Sequence, residues 1–368
     1  MSVGRAEGSA PQGSRDHRRP PTAWGLLRLA ASALAFAGCA APTVPPYSNS
    51  TPVVLTTAAG AGVRDLRGLY RTALCRRLPA GEPSCDQLLL ELAGEIRSPP
   101  SAPQPGAAQR YRVAFVPGLL AECLAGIARP FVETMEHLAR AGFEVYHLSV
   151  RGRGSSEPNA AQLARELAAL PRDPRPLIVF AYARGLPDVL ELVVRYPEVA
   201  SSIGAIVSVA GAMNGSLFAD RLHVVFRAWL ASLPSAECRQ ADGDEMLDLR
   251  RQTRLAWWHA HRADMSKPVF ALVTTPRPDR VSPILMETYQ ELARIEPRND
   301  GQLMWYDQIV PSGSLLGYVN ADHWAIAMSM SRALPTLAFL FRDEVPRTAL
   351  VEAAIETVDE ALGARPAP

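Results

Sequence analysis

The chain has 368 residues, of which 48% are hydrophobic, enough for one large globular domain with additions. Its 38 Lys and Arg residues nearly balance its 37 Asp and Glu residues, so the formal net charge is +1. No block of basic residues and no nucleic-acid-binding motif stands out, which argues against a polyanionic partner. The composition therefore indicates a globular protein and excludes a basic nucleic-acid binder.

The first 38 residues have the pattern of a bacterial lipoprotein signal. Arg15, Arg18 and Arg19 form a basic region, and residues 26–38 form an apolar run too short to be a convincing membrane span. Small residues precede Cys39, as in a lipobox, so we expect Cys39 to be diacylated and to become the mature N-terminus. The alternatives are ordinary signal-peptide cleavage and a disordered segment.

Residues 39–61 are rich in Pro, Ser and Thr, as a tether would be. Ala40 and Ala41 supply no Asp-type signal for retention in the inner membrane. The sequence thus predicts an exported protein of the cell envelope, anchored to the membrane by lipid and facing the periplasm.

The cysteine count agrees with export. If Cys39 carries lipid, four cysteines remain, which is an even number for an oxidising compartment. Cys75 and Cys85 flank a short Pro- and Gly-containing turn and favour a local disulfide, which leaves Cys123 and Cys238 for a long-range pair. The alternative is four free buried thiols. The sequence has no C-x-x-C motif and no His-rich cluster, so we expect no metal and no cofactor.

Helical spacing begins after the tether. Two apolar stripes predict a helical hairpin over residues 62–97, and a Pro-rich linker follows over 98–109. Strand and helix patterns then alternate. Strands are predicted at 111–116, 143–150, 177–181, 203–209, 268–273 and 303–310. Helices are predicted at 127–141, 159–170 and 186–195, and amphipathic helices follow near the C-terminus.

This alternation predicts an α/β fold with a doubly wound, mostly parallel sheet over residues 110–345. Such folds bind ligands at the carboxyl ends of the strands. Residues 213–266 interrupt the alternation with a helical pattern and are predicted to form a cap over that edge, or else a peripheral excursion. A C-terminal helix and tail complete the chain over 346–368.

The segment 177–185, LIVFAYARG, has an unusual feature. An apolar strand enters a tight turn of small residues, and a helix pattern leaves it. Serine hydrolases place their nucleophile at such a turn, in the frame G-x-S-x-G. Here the frame is A-x-A-x-G, and the position of the nucleophile is occupied by Ala183, whose methyl group cannot attack a carbonyl.

The other parts of a hydrolytic triad have candidates in the expected order. His323 follows the last predicted strand and is the candidate base. Asp300, in an Asn-Asp-Gly turn 23 positions earlier, is the candidate acid, with Asp279 as the alternative. Backbone N–H groups of Leu119 and Arg184 are the candidate oxyanion donors.

Together these segments resemble the α/β-hydrolase superfamily, in particular bacterial lipases and esterases with the acid some twenty residues before the histidine. The resemblance spans residues 111–342. It implies ester-type acyl transfer, with the base role at His323, the acid role at Asp300 and the oxyanion role at Leu119 and Arg184. The nucleophile role does not carry over to Ala183.

The sequence therefore favours a pseudoenzyme: an envelope lipoprotein that keeps a hydrolase pocket and binds a small hydrophobic or ester-type ligand or a protein partner. One alternative is an active hydrolase that uses a displaced nucleophile or an activated water. Another is a purely structural envelope lipoprotein. A natural loss of the serine and an engineered alanine would look the same in the sequence.

Overall fold

The computed structural model describes residues 63–78, 83–91, 95, 106–119, 121, 127–220 and 246–363. All the described residues belong to one compact unit. The predicted signal, the predicted lipidation site Cys39, the predicted tether, Cys123 and Cys238 lie outside the described residues. No helix among the described residues is long and apolar enough to cross a membrane.

The core is a seven-stranded sheet in which every neighbouring pair is parallel, in the order β1-β7-β6-β5-β4-β2-β3. This confirms the predicted α/β class. The strands are β1 (Arg64–Asp65), β2 (Arg112–Val116), β3 (Val145–His147), β4 (Leu177–Tyr182), β5 (Ile203–Val209), β6 (Val269–Thr274) and β7 (Ser314–Val319).

Helices accompany the strands through the described part of the chain. They are α1 (Arg67–Cys75), α2 (Cys85–Leu88), α3 (Ala107–Arg110), α4 (Val132–Arg140), α5 (Ser156–Ala169), α6 (Gly185–Arg195), α7 (Pro197–Ala200), α8 (Arg251–His261), α9 (Met286–Ala293), α10 (Met330–Ala333) and α11 (Arg347–Gly363). Short 3₁₀ turns occupy Arg262–Asp264, Pro278–Arg280, Pro283–Leu285, Trp305–Gln308 and Pro335–Leu340.

Helices cover both faces of the sheet, which explains why the central strands are buried and mostly apolar on both faces rather than alternating. In β4, Ile178 and Phe180 enter one core cluster, with side chains of α1, α4 and α11. Leu177 and Val179 point the other way, into a cluster with α5 and α6. Because all the strands run in the same direction, their carboxyl ends meet at one edge of the sheet.

The strand predicted at residues 303–310 is wrong. Those residues form a loop and the 3₁₀ turn Trp305–Gln308, and the last strand is β7, at Ser314–Val319. Short apolar runs fit a strand and a buried turn equally well. The true strand contains Gly317, which weakens the sequence signal for a strand. In the fold this glycine leaves room for Tyr70, because an added Cβ would lie 3.3 Å from the Tyr70 ring.

The segment predicted as a helical hairpin differs in its second half. Helix α2 ends at Leu88, and the backbone continues extended, so that Leu89 bridges Val319 and Leu90 N donates to Tyr318 O at 2.9 Å. At the start of the same predicted hairpin, β1 pairs with β7 as an edge strand. The described residues of the predicted hairpin are therefore part of the sheet layer rather than a separate unit. Within the predicted linker, Ala107–Arg110 forms the short helix α3.

The predicted local disulfide is confirmed: Cys75, the last residue of α1, is bonded to Cys85, the first residue of α2. The bond closes a loop with a sequence separation of 10 residues. The disulfide attaches the start of α2 to the end of α1. It therefore also fixes the extended backbone that follows α2 and contacts β7.

Replacing both cysteines, Cys75→Ser with Cys85→Ser, should lower the free energy of unfolding by about 2–3 kcal/mol, because the unfolded chain regains the entropy of the open loop. Urea unfolding of the oxidised parent and the double variant measures the difference. Reduction should destabilise the parent by more than it destabilises the double variant, because the variant keeps only the predicted Cys123–Cys238 pair. Equal stabilities of the oxidised parent and the variant would contradict the expectation.

Candidate active site

The turn after β4 has the geometry of a nucleophile elbow. Ala183 has a φ of +51°, a region that glycine enters freely and alanine rarely. Its N–H donates to Val209 O at 3.0 Å, and its carbonyl accepts from Ala212 N at 3.0 Å. Helix α6 starts two residues later, at Gly185. The turn is therefore held in a strained conformation by the following strand and by the segment after it.

The loop after β2 packs directly against this turn. A Cβ added to Gly118 would lie 3.0 Å from the Ala183 Cβ, and one added to Gly185 would lie 2.6 Å from Pro117 O. Leu119, the next residue of the loop, is half-buried, and Arg184 is the N-cap of α6. The structure thus places Leu119 and Arg184 in the two segments that meet at Ala183, as an oxyanion hole requires.

His323 and Asp300 form a hydrogen-bonded pair at the same edge of the sheet. His323 Nδ1 lies 2.8 Å from Asp300 Oδ2, and His323 N donates to Asp300 O at 3.0 Å. Both side chains are buried. A hydrogen bond from Nδ1 to the carboxylate leaves Nε2 as the basic nitrogen of a neutral ring. The alternative acid, Asp279, is exposed in the turn Pro278–Arg280.

Both oxygens of the Asp300 carboxylate accept hydrogen bonds. Besides His323, Thr274 Oγ1 lies 2.6 Å and Gln308 Nε2 lies 3.3 Å from Oδ2. The backbone N–H groups of Gln302 and Leu303 donate to Oδ1 at 2.9 and 2.7 Å. A buried carboxylate needs such donors, because they replace the water it has lost.

Tyr182, the residue before Ala183, links the turn to the histidine. Its hydroxyl donates to His323 O at 2.8 Å, and the two rings are 5.3 Å apart. Burial raises the pKa of Tyr182 well above its usual value, and the charges of Asp300 and Asp322 act in the same direction. The phenol therefore stays protonated and keeps this hydrogen bond. The sequence analysis assigned no role to Tyr182, Thr274 or Gln308.

Three serines, Ser155, Ser156 and Ser208, do not occupy the place of a nucleophile. Ser208 lies buried in β5, where a Cβ added to Gly211 would come within 2.2 Å of its Oγ. Ser155 and Ser156 begin α5, and Ser156 N donates to Asp248 at 2.5 Å. Among the described residues, no group of three or more His, Cys, Asp or Glu side chains could hold a metal ion.

Arg184, which follows Ala183, belongs to a buried group of polar side chains with Asp188 and Asn159. Arg184 Nε is 3.7 Å from Asp188 Oδ1, and Asn159 Nδ2 donates to Asp188 Oδ2 at 2.9 Å. Burial raises the pKa of Asp188 to about 6, although Arg184 and Asn159 act in the opposite direction. The Arg184 guanidinium therefore lies within ion-pair distance of Asp188, one helical turn later in α6.

A parallel doubly wound sheet, a positive-φ turn between β4 and α6, and an Asp–His pair after β6 and β7 define an α/β-hydrolase. The metagenomic carboxyl esterase MGS0156 has a similar structure, with 33% sequence identity and a TM-score of 0.76 over 85% of this chain and 97% of the esterase. The chain therefore belongs to the same family of α/β-hydrolases as this carboxyl esterase.

A second solved structure, EstA from Clostridium botulinum, shares only the fold. Its identity is 11% and its TM-score 0.51, over 80% of this chain and 98% of EstA. No protein-family model matches the chain, and a search of curated proteins finds no match.

Asp188→Asn should flatten the dependence of stability on pH. Burial raises the pKa of Asp188 to about 6, from the 3.8 of an ordinary aspartate, so the folded state binds the proton more tightly than the unfolded chain does. The resulting stabilisation is complete below the unfolded pKa and is lost as the pH rises through about 6.

In the parent, this one group should lower the free energy of unfolding by about 1 kcal/mol between pH 5 and pH 8. Urea unfolding at the two pH values, for parent and variant, measures the change in slope. The same slope in both proteins would show that Asp188 titrates normally.

Proposed function

We propose that the protein is a pseudoenzyme of the carboxyl esterase type, which retains the ester-binding and acid–base parts of the site without a nucleophile. One observation carries the proposal. Ala183 stands at the strained apex of the elbow, beside the hydrogen-bonded pair of His323 and Asp300. Alanine gains nothing from a positive φ, yet Ala183 keeps the backbone conformation that a nucleophile elbow uses.

The mechanism of an esterase shows why the missing serine Oγ matters. In an esterase, serine Oγ attacks the ester carbonyl carbon while its proton passes to the histidine Nε2, and the acid orients the ring. The alkoxide of the tetrahedral intermediate is held by two backbone N–H groups and expels the alcohol, which takes the proton from the imidazolium. Losing the serine of such a triad costs on the order of a million-fold in kcat.

The same site can still bind an uncharged ester. Leu119 and Phe218 pack on a small apolar cluster after β5, whose members are Ala212, Ala219, Met246, Leu249 and Leu303. Ala212 N donates to Ala183 O, and Leu303 N donates to the Asp300 carboxylate. This apolar cluster beside the Ala183 turn and the Asp300 loop supports a small hydrophobic acyl or aryl ester as the ligand.

We further propose that the protein acts in the cell envelope, with lipid at Cys39. The lipobox-like sequence supports this location, and so does the Cys75–Cys85 disulfide, because disulfides persist in oxidising compartments. In this setting the protein would bind its ligand, or an envelope partner, without turnover.

Ala183→Ser should convert the protein into an esterase. With p-nitrophenyl butyrate, the parent should not exceed the rate in buffer, whereas the variant should exceed it by at least about a thousand-fold, since acid, base and oxyanion donors are present. Release of p-nitrophenol measures both rates. The control, Ala183→Ser with His323→Ala, should return to background.

Turnover by the parent that disappears in His323→Ala would contradict the proposal and favour a hydrolase that uses an activated water or a displaced nucleophile. If neither the parent nor Ala183→Ser has activity, and calorimetry of the parent shows no binding of the intact ester, the ester-binding proposal fails. A structural role of the protein in the envelope would then be favoured.

A further inference from the structure

Gln308 lies next to the site but belongs neither to the elbow nor to the hydrogen-bonded Asp–His pair. It ends the turn Trp305–Gln308 and is fully buried. Its Oε1 accepts from Thr274 N at 2.8 Å, and its Nε2 donates to Thr274 O at 3.0 Å. Since a backbone N–H only donates and a carbonyl only accepts, these two bonds fix which end of the amide is which.

This orientation directs an amide hydrogen towards Asp300. Gln308 Nε2 lies 3.3 Å from Oδ2, the same oxygen that faces His323. Thr274 is the last residue of β6 and pairs with Val319 of β7, so Gln308 is anchored to the rigid sheet rather than to the loop that carries Asp300. The two carboxylate oxygens are thus held differently, Oδ1 by backbone N–H groups of its own loop and Oδ2 by side chains fixed to the sheet.

The turn that carries Gln308 is itself braced by the segment after β5. Arg251 Nη2 lies 2.6 and 2.8 Å from the two carboxylate oxygens of Asp307, and Asn214 N donates to Asp307 O at 3.0 Å. The place of Gln308 therefore depends on helix α8 of the predicted cap segment as well as on the sheet.

We propose that Gln308 is a positioning residue, which holds Asp300 Oδ2 in line with His323 Nδ1 and is kept in place by the Arg251–Asp307 ion pair. The inference rests on the proposed function, because it assigns Asp300 and His323 the acid and base roles. Gln308 itself touches no substrate. Its effect passes through the orientation of the carboxylate.

The first test uses the parent chain, in which no reaction interferes. A histidine Nδ1–H that donates to a buried carboxylate gives a separate downfield proton NMR signal. Gln308→Met should shift this signal upfield or abolish it, while the matched control Gln290→Met, at a half-buried position of α9, should leave it unchanged. His323→Ala assigns the signal. An unaltered signal in Gln308→Met would overturn the proposal, and this result does not depend on catalytic activity.

The second test is a double-mutant cycle in the Ala183→Ser background. Gln308→Met should lower kcat by about 10- to 100-fold with little change in KM, as expected for a displaced catalytic group. When Asp300→Ala is already present, the same substitution should change kcat less than about two-fold, because Gln308 acts only through Asp300. Equal losses in both backgrounds would show a merely structural role. If Ala183→Ser is inactive, the acid–base part of the proposed function fails, and the NMR signal alone decides the role of Gln308.

Discussion

The sharp turn at Ala183 is the constraint on which the site depends. A positive φ at this residue lets the chain leave β4 and enter α6 within two residues, so that the turn projects beyond the sheet edge. The turn packs so tightly on the preceding loop that Gly185 has no room for a side chain beside Pro117 O. This close approach brings the loop after β2 and the turn after β4 into direct contact.

The electrostatics of the site follow from that packing. Asp300 and His323 are both buried, and a buried carboxylate is costly unless donors surround it. Thr274, Gln308 and two backbone N–H groups supply them. These interactions are complete without a nucleophile, because none of them involves the residue at position 183. The site can therefore lose its serine and keep its shape.

The sequence predicted the elements whose signal is local. β2, β4, β5 and β6 are mostly apolar runs, and each lies within two residues of its predicted bounds. The elbow could be recognised from its spacing of small residues, although alanine stands at position 183. The order of the predicted segments then indicated Asp300 as the acid and His323 as the base. The fold brings these two side chains into hydrogen-bond contact.

The parts that the sequence did not predict depend on tertiary contacts. β1 has two residues and exists only because β7 lies beside it. β7 contains Gly317, whose lack of a side chain leaves room for the ring of Tyr70, a residue nearly 250 positions earlier. Gln308 lies in a segment whose apolar pattern resembles a strand, and nothing local indicates that its amide pairs with Thr274.

We propose that the assembled site has no nucleophile in the parent chain. An alkyl fluorophosphonate phosphonylates an activated nucleophile in a triad, and intact mass spectrometry detects the adduct. We expect no adduct on the parent and one adduct on Ala183→Ser, located at position 183 by peptide mapping. An adduct on the parent, at any residue, that is lost in His323→Ala would show that the site contains a displaced nucleophile.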